Sequence, residues 1–505
     1  MVTENTIYTL PEGWIWTTIG EIGIVASGGT PSTQNPKLWG GDISWITPAD
    51  LSNYKDVYID KGARSITKVG LEYSSAKLLP KGSILFSSRA PIGYVVIAKN
   101  EMATNQGFKN IILTESLLSE YVYYYLKTIK PLAENMASGT TFLELSATKF
   151  TQLPFPLPPF PEQQRIVSKI EELFSELDHA EAGLKKAQKQ LEVYRQALLN
   201  SAFDLNRKSG KKILVAELGI ITTGTTPPKS NSRFYGADYN FYKPSDLELG
   251  NHIVDSKDKL SELGFNLTRT VPANSVLVTC IGATIGKTGL VREKGAFNQQ
   301  INAIIPNDNY VPEFIYYQIL SPGFQKQLKQ NASSTTLPII NKGKFIQLSF
   351  VVFTKKDQLE IVQELDSKFS LIENFENSIS IGLQKIEIFR QAILRKAFEG
   401  NLVSQDKSDK PASILLKQIS QEKEDYIISQ KLVEKEKPKK KKPMDANKTI
   451  KEILEKSDQP IESRELWLKS KHKDNIEEFY AELKKIEHEI EILFEGKESS
   501  IILKR

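Results

Sequence analysis

The hydrophobic pattern of this chain is strictly periodic over two long stretches. Between residues 161 and 203, Ile170, Leu173, Leu177, Ala180, Leu184, Ala187, Leu191, Tyr194 and Leu198 follow one another in alternating steps of three and four. That is the heptad of a coiled-coil helix, roughly 60 Å long at about 1.5 Å per residue. The pattern returns at an offset of 195 over residues 356–398. There 13 of 43 positions are identical, among them Gln358, Ile361, Val362, Phe369, Arg390, Gln391, Ala392 and Phe398. The second stripe reads Leu365, Ile372, Phe375, Ile379, Gly382, Ile386, Phe389 and Ile393, with Lys368 as its poor fit. Either helix alone could be an ordinary core helix. Two in one chain, each with a seam in need of a partner, most simply pack together. Ile170, Leu177, Leu184, Leu191 and Leu198 would then face Ile372, Ile379, Ile386 and Ile393.

Ahead of each long helix the heptad is absent. Short β-rich runs (43–46, 83–87, 95–97, 110–113) lie between Gly, Pro and Asn punctuation, and a tyrosine-bearing helical segment is predicted at 119–128 and again at 312–320. This region repeats as well. Residues 27–51 align without gaps on 223–247, with nine of 25 positions shared, and 79–98, 105–106 and 137–155 answer 271–291, 298–299 and 332–350. The chain is therefore a tandem duplication of an α/β (α+β) domain followed by a long helix. The predicted organisation is a first domain over 1–155, helix over 156–208, a second domain over 209–353 and helix over 354–400. A charged linker over 401–447, carrying Lys439 to Lys442, leads to a small helical module over 448–505. That module has helix-like segments at 449–456, 461–469 and 474–494; a winged-helix-like fold and a helical docking unit both suit it. A compact domain of about 140 residues, with a radius of gyration near 14 Å, cannot easily return the chain along a 60 Å helix. Antiparallel pairing of the helices is expected, with one domain at each end.

Composition narrows the function classes. A net charge of +5 permits a nucleic-acid partner without requiring one. One cysteine, Cys280, excludes an internal disulfide and a multi-cysteine metal site, and points to a reducing cytoplasm. No run of about 18 apolar residues predicts a membrane span.

Catalytic constellations are not visible. Gly282 to Thr288 imitates a phosphate-binding loop but has three residues between its glycines where four are needed, and the first repeat lacks its Lys-Thr. A strand–turn–strand is the better reading. The polar loops are more informative, because hydroxyls, lysines and backbone N–H groups suit phosphate oxygens while Asn and Gln can pair with adenine. Candidate DNA-contacting residues in the first repeat are Gly28, Gly29, Thr30, Ser32, Lys37, Thr47, Ser88, Arg89, Tyr94, Asn105, Gln106, Lys109, Thr140 and Thr141. In the second they are Thr225, Thr226, Lys229, Arg233, Lys243, Lys287, Asn298, Gln299, Thr335 and Thr336. Such residues also build tight turns. Positions differing between repeats, such as Arg89/Ile281, Tyr94/Lys287, Lys109/Asn302 and Thr47/Lys243, are where two different half-sites could be read. A structural adaptor binding only proteins is the rival reading.

The motifs LPEGW (10–14), SGGTPS (27–32), WITPADL (45–51), SSRAPIG (87–93), NQGFKNI (105–111) and SGTTFLELSATKFTQLPF (138–155), with the YRQALL and FRQAIL helix ends, resemble the specificity subunit of type I restriction–modification systems. The resemblance spans residues 10–400. It implies two target-recognition domains on a helical spacer, reading an asymmetric bipartite duplex site without catalysis. It also implies two methyltransferase subunits, which use S-adenosylmethionine on adenine, and two endonuclease/translocase subunits, which use ATP and magnesium. No cofactor is expected in this chain. Two departures stand out: Thr225 and Lys243 replace the motif residues Gly29 and Thr47, and residues 401–505 run past the family's usual end.

Overall fold

The computed structural model describes residues 8–139, 143–205, 208–333, 337–436, 449–457, 459–472, 475–495 and 498–504. In the first domain, a five-stranded sheet runs in the order Gly23–Ser27, Phe108–Leu113, Ile84–Ser88, Ile92–Ala98, Tyr58–Ile59, antiparallel except at its last pair. A three-stranded sheet of Arg64–Ile66, Trp39–Ile46 and Met102–Thr104 stands beside it. The second domain repeats this plan. Gly219–Thr223, Ile301–Pro306, Ser275–Thr279 and Thr288–Val291 form one sheet, and Asp258–Leu260, Tyr235–Tyr242, Gly295–Phe297 and Thr270–Val271 form the other. In each domain the segment entering the long helix pairs with the domain's first strand, Pro154–Leu157 with Ile15–Thr18 and Ser349–Val352 with Lys211–Leu214. Prolines at 154, 156, 158 and 159 favour that extended entry.

The long helices span Phe160–Ala202 and Lys355–Phe398, each about 65 Å long. They are antiparallel: Arg195 meets Glu376, Arg390 meets Glu181 and Asp178, and Lys208 meets Asp357 and Glu360. Of the residues expected to face each other, Ile170, Ile372, Ile379 and Ile386 are buried and Leu177, Leu184, Leu191, Leu198 and Ile393 half-buried. Near the middle a Cβ added to Gly382 would lie 2.9 Å from Leu184 Cδ1, so a larger residue there would require the Leu184 side chain to shift.

Two layers depart from the predicted stripe. Ala180, Tyr194, Phe375 and Phe389 are exposed, and the following residues, Glu181, Arg195, Glu376 and Arg390, turn inward in their place. Arg195 lies 5.2 Å over Phe369 and Arg390 lies 5.2 Å over Phe174, and each guanidinium also reaches a glutamate of the opposite helix, at 3.2 and 3.4 Å. Neighbouring positions are about 100° apart on a helix, so hydropathy favoured the aromatics. A planar cation stacked on a ring while paired with a carboxylate satisfies the layer instead.

Each long helix ends inside the opposite domain. Leu394, Ala397 and Phe398 complete the first domain's core, where Phe398 stacks edge-on against Tyr121 and Tyr125. The equivalents Leu199, Ala202 and Phe203 complete the second domain's core, where Phe203 meets Phe314. The tyrosine-bearing helices Ser119–Thr128 and Pro312–Leu320 sit where predicted. Buried Gln163 and Gln358 fasten the long helices to them, each amide oxygen accepting a backbone N–H, from Leu118 at 3.1 Å and Val311 at 2.9 Å.

The region after residue 400 corrects two expectations. The stretch predicted to be solvated linker contains a helix, Ala412–Glu436, that straps onto the first domain. Ala412 and Ile419 enter the core, Arg165 pairs with Asp409 at 2.6 Å, Lys423 donates to the Gly20 and Glu21 carbonyls, and Ser116 binds Glu422. Only part of its apolar content is used, since Ala412 and Ile419 are buried while Ile414, Ile428 and Leu432 stay exposed, and two of its charged residues face the domain. Lys439 to Lys442 lie outside the described residues. The last module is not all helical: Ile490–Glu495 and Glu498–Leu503 form a hairpin, joined by Ile461–Glu462 in a three-stranded sheet. Helix, strand, two helices and hairpin follow one another in the order of a winged helix. Its third helix, Ile476–Lys485, opens with exposed Glu477 and Glu478, a charge that opposes phosphate. No helix among the described residues is long and apolar enough to cross a membrane.

Candidate nucleic-acid interface

The polar loops gather at one end of the sheet that holds Gly23–Ser27 in the first domain and of the sheet that holds Gly219–Thr223 in the second. In the first domain the chain leaving Ser27 crosses the turn at Asn105–Gly107. An added Cβ on Gly28 would sit 1.9 Å from the Asn105 carbonyl oxygen, and one on Gly224 would sit 2.1 Å from that of Asn298, so only glycine permits this crossing. Beyond it the Thr30 hydroxyl donates to the Gln106 amide, and Thr226 does the same to Gln299. The duplicated domains thus build one polar corner twice.

Several predicted contact residues prove to be frame. Gly28, Gly29 and Ser88 are buried, and the Ser88 hydroxyl is spent on the Gly107 carbonyl at 3.1 Å. Asn105 accepts from Gly107 N at 2.9 Å and Asn298 from Gln300 N at 3.1 Å, so both amides shape their turns. Thr47 donates to Asp50 at 2.6 Å, Tyr94 is packed beside the core, and Lys243 and Lys287 are engaged by Asp258 at 2.7 Å and Glu248 at 2.5 Å. Small hydroxyl and amide residues serve turns as readily as ligands, which is why sequence alone placed these on the list. Gln106, Ser32, Lys37, Lys229, Arg233 and Gln299 are exposed, while Thr30, Arg89, Thr225 and Thr226 are half-buried. Thr140, Thr141, Thr335 and Thr336 lie outside the described residues. Gly282 to Thr288 joins two antiparallel strands, the strand–turn–strand expected. Cys280 is buried, its thiol pushed up to about 12 by burial.

Sequence reasoning missed four supports of these corners. Trp45 donates its indole N–H to the Gly29 carbonyl at 2.9 Å, and Trp39 donates to Ser32 at 3.0 Å. In the second domain Phe241 aligns with Trp45 and has no N–H to give. Arg269 holds the loop instead, through the Thr223 carbonyl at 2.8 Å and the Thr225 hydroxyl at 2.9 Å. Glu144 accepts from Arg89 at 3.5 Å and from Lys109 at 3.4 Å, and Lys109 is itself buried. Trp45 and Glu144 both lie inside the quoted motifs, but no spacing rule pairs them with the loops they hold.

Two copies of one mixed domain, each with a polar loop corner, carried at opposite ends of a rigid helical rod: this is a two-headed recognition protein. The chain belongs to the family described as the type I restriction modification DNA specificity domain, whose profile matches it twice, over residues 11–187 and 211–383. It is 32% identical over 428 residues to the type I restriction enzyme MjaIX specificity subunit of Methanocaldococcus jannaschii, covering 79% of this chain and 96% of that one. It is 21% identical over 432 residues to the EcoKI specificity subunit of Escherichia coli, covering 80% and 92%. Among solved structures, a chain from work on complex assembly and conformational transition of the type I R-M system superposes with a TM-score of 0.64 at 20% identity. That match covers 78% of this chain and 100% of the other. The HsdS subunit from Thermoanaerobacter tengcongensis gives 0.51 at 19% identity, covering 79% and 99%. The solved structures bear on the fold; the family membership rests on the sequence matches.

Proposed function

We propose that the chain reads an asymmetric, bipartite duplex DNA site, one half with each domain, and carries the subunits that act on that DNA. The observation that carries this reading is the duplicated polar corner, Thr30–Gln106 and Thr226–Gln299, set on one backbone frame but surrounded by different side chains. Equivalent frames give two reading heads; different side chains give two different half-sites. The rod of about 65 Å is on the scale of one to two turns of duplex, at about 34–36 Å each.

The rod also has a second pair of equivalent surfaces. Val193 and Tyr194 on one helix and Ile388 and Phe389 on the other are exposed at matching positions. Two matched apolar patches outside the seam suit two copies of one partner, which in this reading are two methyltransferase subunits, with two endonuclease/translocase subunits completing the assembly. S-adenosylmethionine would be bound by the methyltransferase, and ATP and magnesium by the endonuclease. This chain supplies binding and geometry, in the cytoplasm where the DNA lies.

Exchange of residues 213–353 for the same segment of another specificity subunit tests the reading. Methylated adenines mapped in cells that also express the partner methyltransferase should show one half-site changed and the other kept. A change in both halves, or no methylation motif at all, would refute it.

A further inference from the structure

The sharpest difference between the two corners lies at one β-bridge. In the first domain Arg89, just past the strand Ile84–Ser88, bridges Glu144, and Leu145 N donates to the Ser88 carbonyl at 2.9 Å. In the second domain Ile281 bridges Ile339, and Ile340 N donates to the Cys280 carbonyl, also at 2.9 Å. The backbone is the same. The chemistry is inverted: the cluster of Arg89, Glu144 and buried Lys109 is replaced by Ile281, Ile339 and Asn302, with Leu337 exposed nearby in the chain. Asn302 is turned into the fold, accepting from Thr223 at 2.6 Å and donating to Cys280 Sγ at 3.2 Å.

The first cluster has the features of an oriented reading side chain. One oxygen of Glu144 faces Arg89 at 3.5 Å and the other faces Lys109 at 3.4 Å, so the carboxylate is held between two cations. Lys109 is 7% exposed in its side chain and so is a fixed anchor, whereas the Arg89 side chain is 34% exposed. A single long contact to Glu144 aims the guanidinium and leaves most of its five N–H donors unspent among the described residues. Through Ser88 and Gly107 the cluster adjoins the Thr30–Gln106 corner.

Resting on the proposed function, we infer that Arg89 reads a guanine in the first half-site, with Glu144 as its positioning residue. The Ile281–Ile339 pair gives the second domain an apolar edge at the equivalent place, suited to a thymine methyl group. A guanidinium fork matches guanine O6 and N7, and an isoleucine matches only the methyl. The bridge is thus a point at which one backbone is set to two different bases.

The test uses the full chain expressed with its methyltransferase, reading site preference from mapped methylation. Arg89→Lys keeps the charge and loses the fork. It should lower preference for one guanine in the first half-site by about 5- to 150-fold, with the second half-site unchanged. That unchanged half also shows that the variant is folded. Glu144→Gln should weaken preference at the same base without reducing methylation of all sites together. The double variant Arg89→Ile/Glu144→Ile should shift that position toward thymine. A uniform fall across all sequences in Arg89→Lys would make Arg89 a phosphate contact and overturn the assignment, as would an unchanged motif in both single variants. A wild-type chain that directs no bipartite motif would instead refute the function on which the inference rests.

Discussion

The two domains are made by one sequence pattern, yet they are finished differently. Both receive the end of the long helix that the other begins, through Leu394, Ala397 and Phe398 in one case and Leu199, Ala202 and Phe203 in the other. Among the described residues only the first also receives a strap. Ile24, on the edge strand of the first domain, and Tyr426 of the strap both pack against one core cluster, whereas Ile220, the equivalent of Ile24, is 67% exposed. At the loop corner the first domain uses an indole and a charged cluster where the second uses an arginine and an isoleucine pair. Duplication therefore preserved what the fold needs for closure, the helix ends and the glycine crossing. It left free what faces solvent or a ligand.

The largest test removes the second half altogether. A fragment ending near Lys208 keeps the first domain and its helix but exposes a seam, and burying each apolar side chain there is worth about 1.5–3 kcal/mol. A second copy should dock antiparallel, with Leu199, Ala202 and Phe203 entering the partner's first domain as Leu394, Ala397 and Phe398 do now. Leu173 would take the place of Lys368, and the product would be a two-fold dimer. Sedimentation should show that dimer, and methylation mapping should show an inverted repeat of the first half-site. A stable monomer, or the original asymmetric motif, breaks the equivalence of the two halves.

The strap gives the next effect. Ile419 is fully buried in the first domain's core, so Ile419→Ala should cost about 2–5 kcal/mol. Ile428, exposed on the same helix, should cost less than about 0.5 kcal/mol as alanine. Hydrogen exchange would localise the loss to the first domain; equal loosening of the second would mean that the two cores are not separate units.

The seam's two polar layers offer a finer comparison. Arg390 faces two carboxylates and is 18% exposed, while Arg195 faces one and is 34% exposed. Each alanine substitution should cost on the order of 1 kcal/mol, with Arg390→Ala the larger in thermal denaturation. The reverse order would mean that the ring stacking, alike at both sites, outweighs the pairing.

The smallest effect concerns Glu162, buried where the first helix, the entry strand and the strap meet. Burial pushes its carboxyl above the usual range, with Trp14 and Gln405 pulling less strongly the other way. A raised native value means that the carboxyl's stabilising contribution is complete below the ordinary carboxylate range and is lost as pH rises through the raised value. Glu162→Gln should therefore flatten the stability profile above that range, raising stability at neutral pH by about 1 kcal/mol or less. No change between pH 4 and 7 would mean that Glu162 does not lower the first domain's stability as pH rises.

Much of this architecture was legible in residue order. The heptads, the offset of 195, the strand–turn punctuation and the shared glycines are local or repeated signals. Antiparallel packing followed from them, because a compact domain cannot span a 60 Å helix. The strap was hidden because charge dominates its composition, and the few apolar residues that it buries have meaning only against the first domain. The first strand of the hairpin, Ile490–Glu495, was read as the end of a helix over 474–494 because Ile486, Ile490 and Leu493 fit a three-four spacing that a short apolar strand can imitate.

Sequence by itself determined the duplication, the rod and the position of the polar loops, since each depends on periodicity or identity along the chain. Tertiary structure alone decided which loop residues are spent on turns and which remain free. It also decided that Arg195 and Arg390 displace aromatics from the seam, and that Arg89, Lys109 and Glu144 converge on one corner. The reason is the range of the interactions. A repeat or a heptad is set by neighbours a few residues apart, whereas a side chain's hydrogen-bond and charge partners come from segments that meet only when the sheets and the rod have closed.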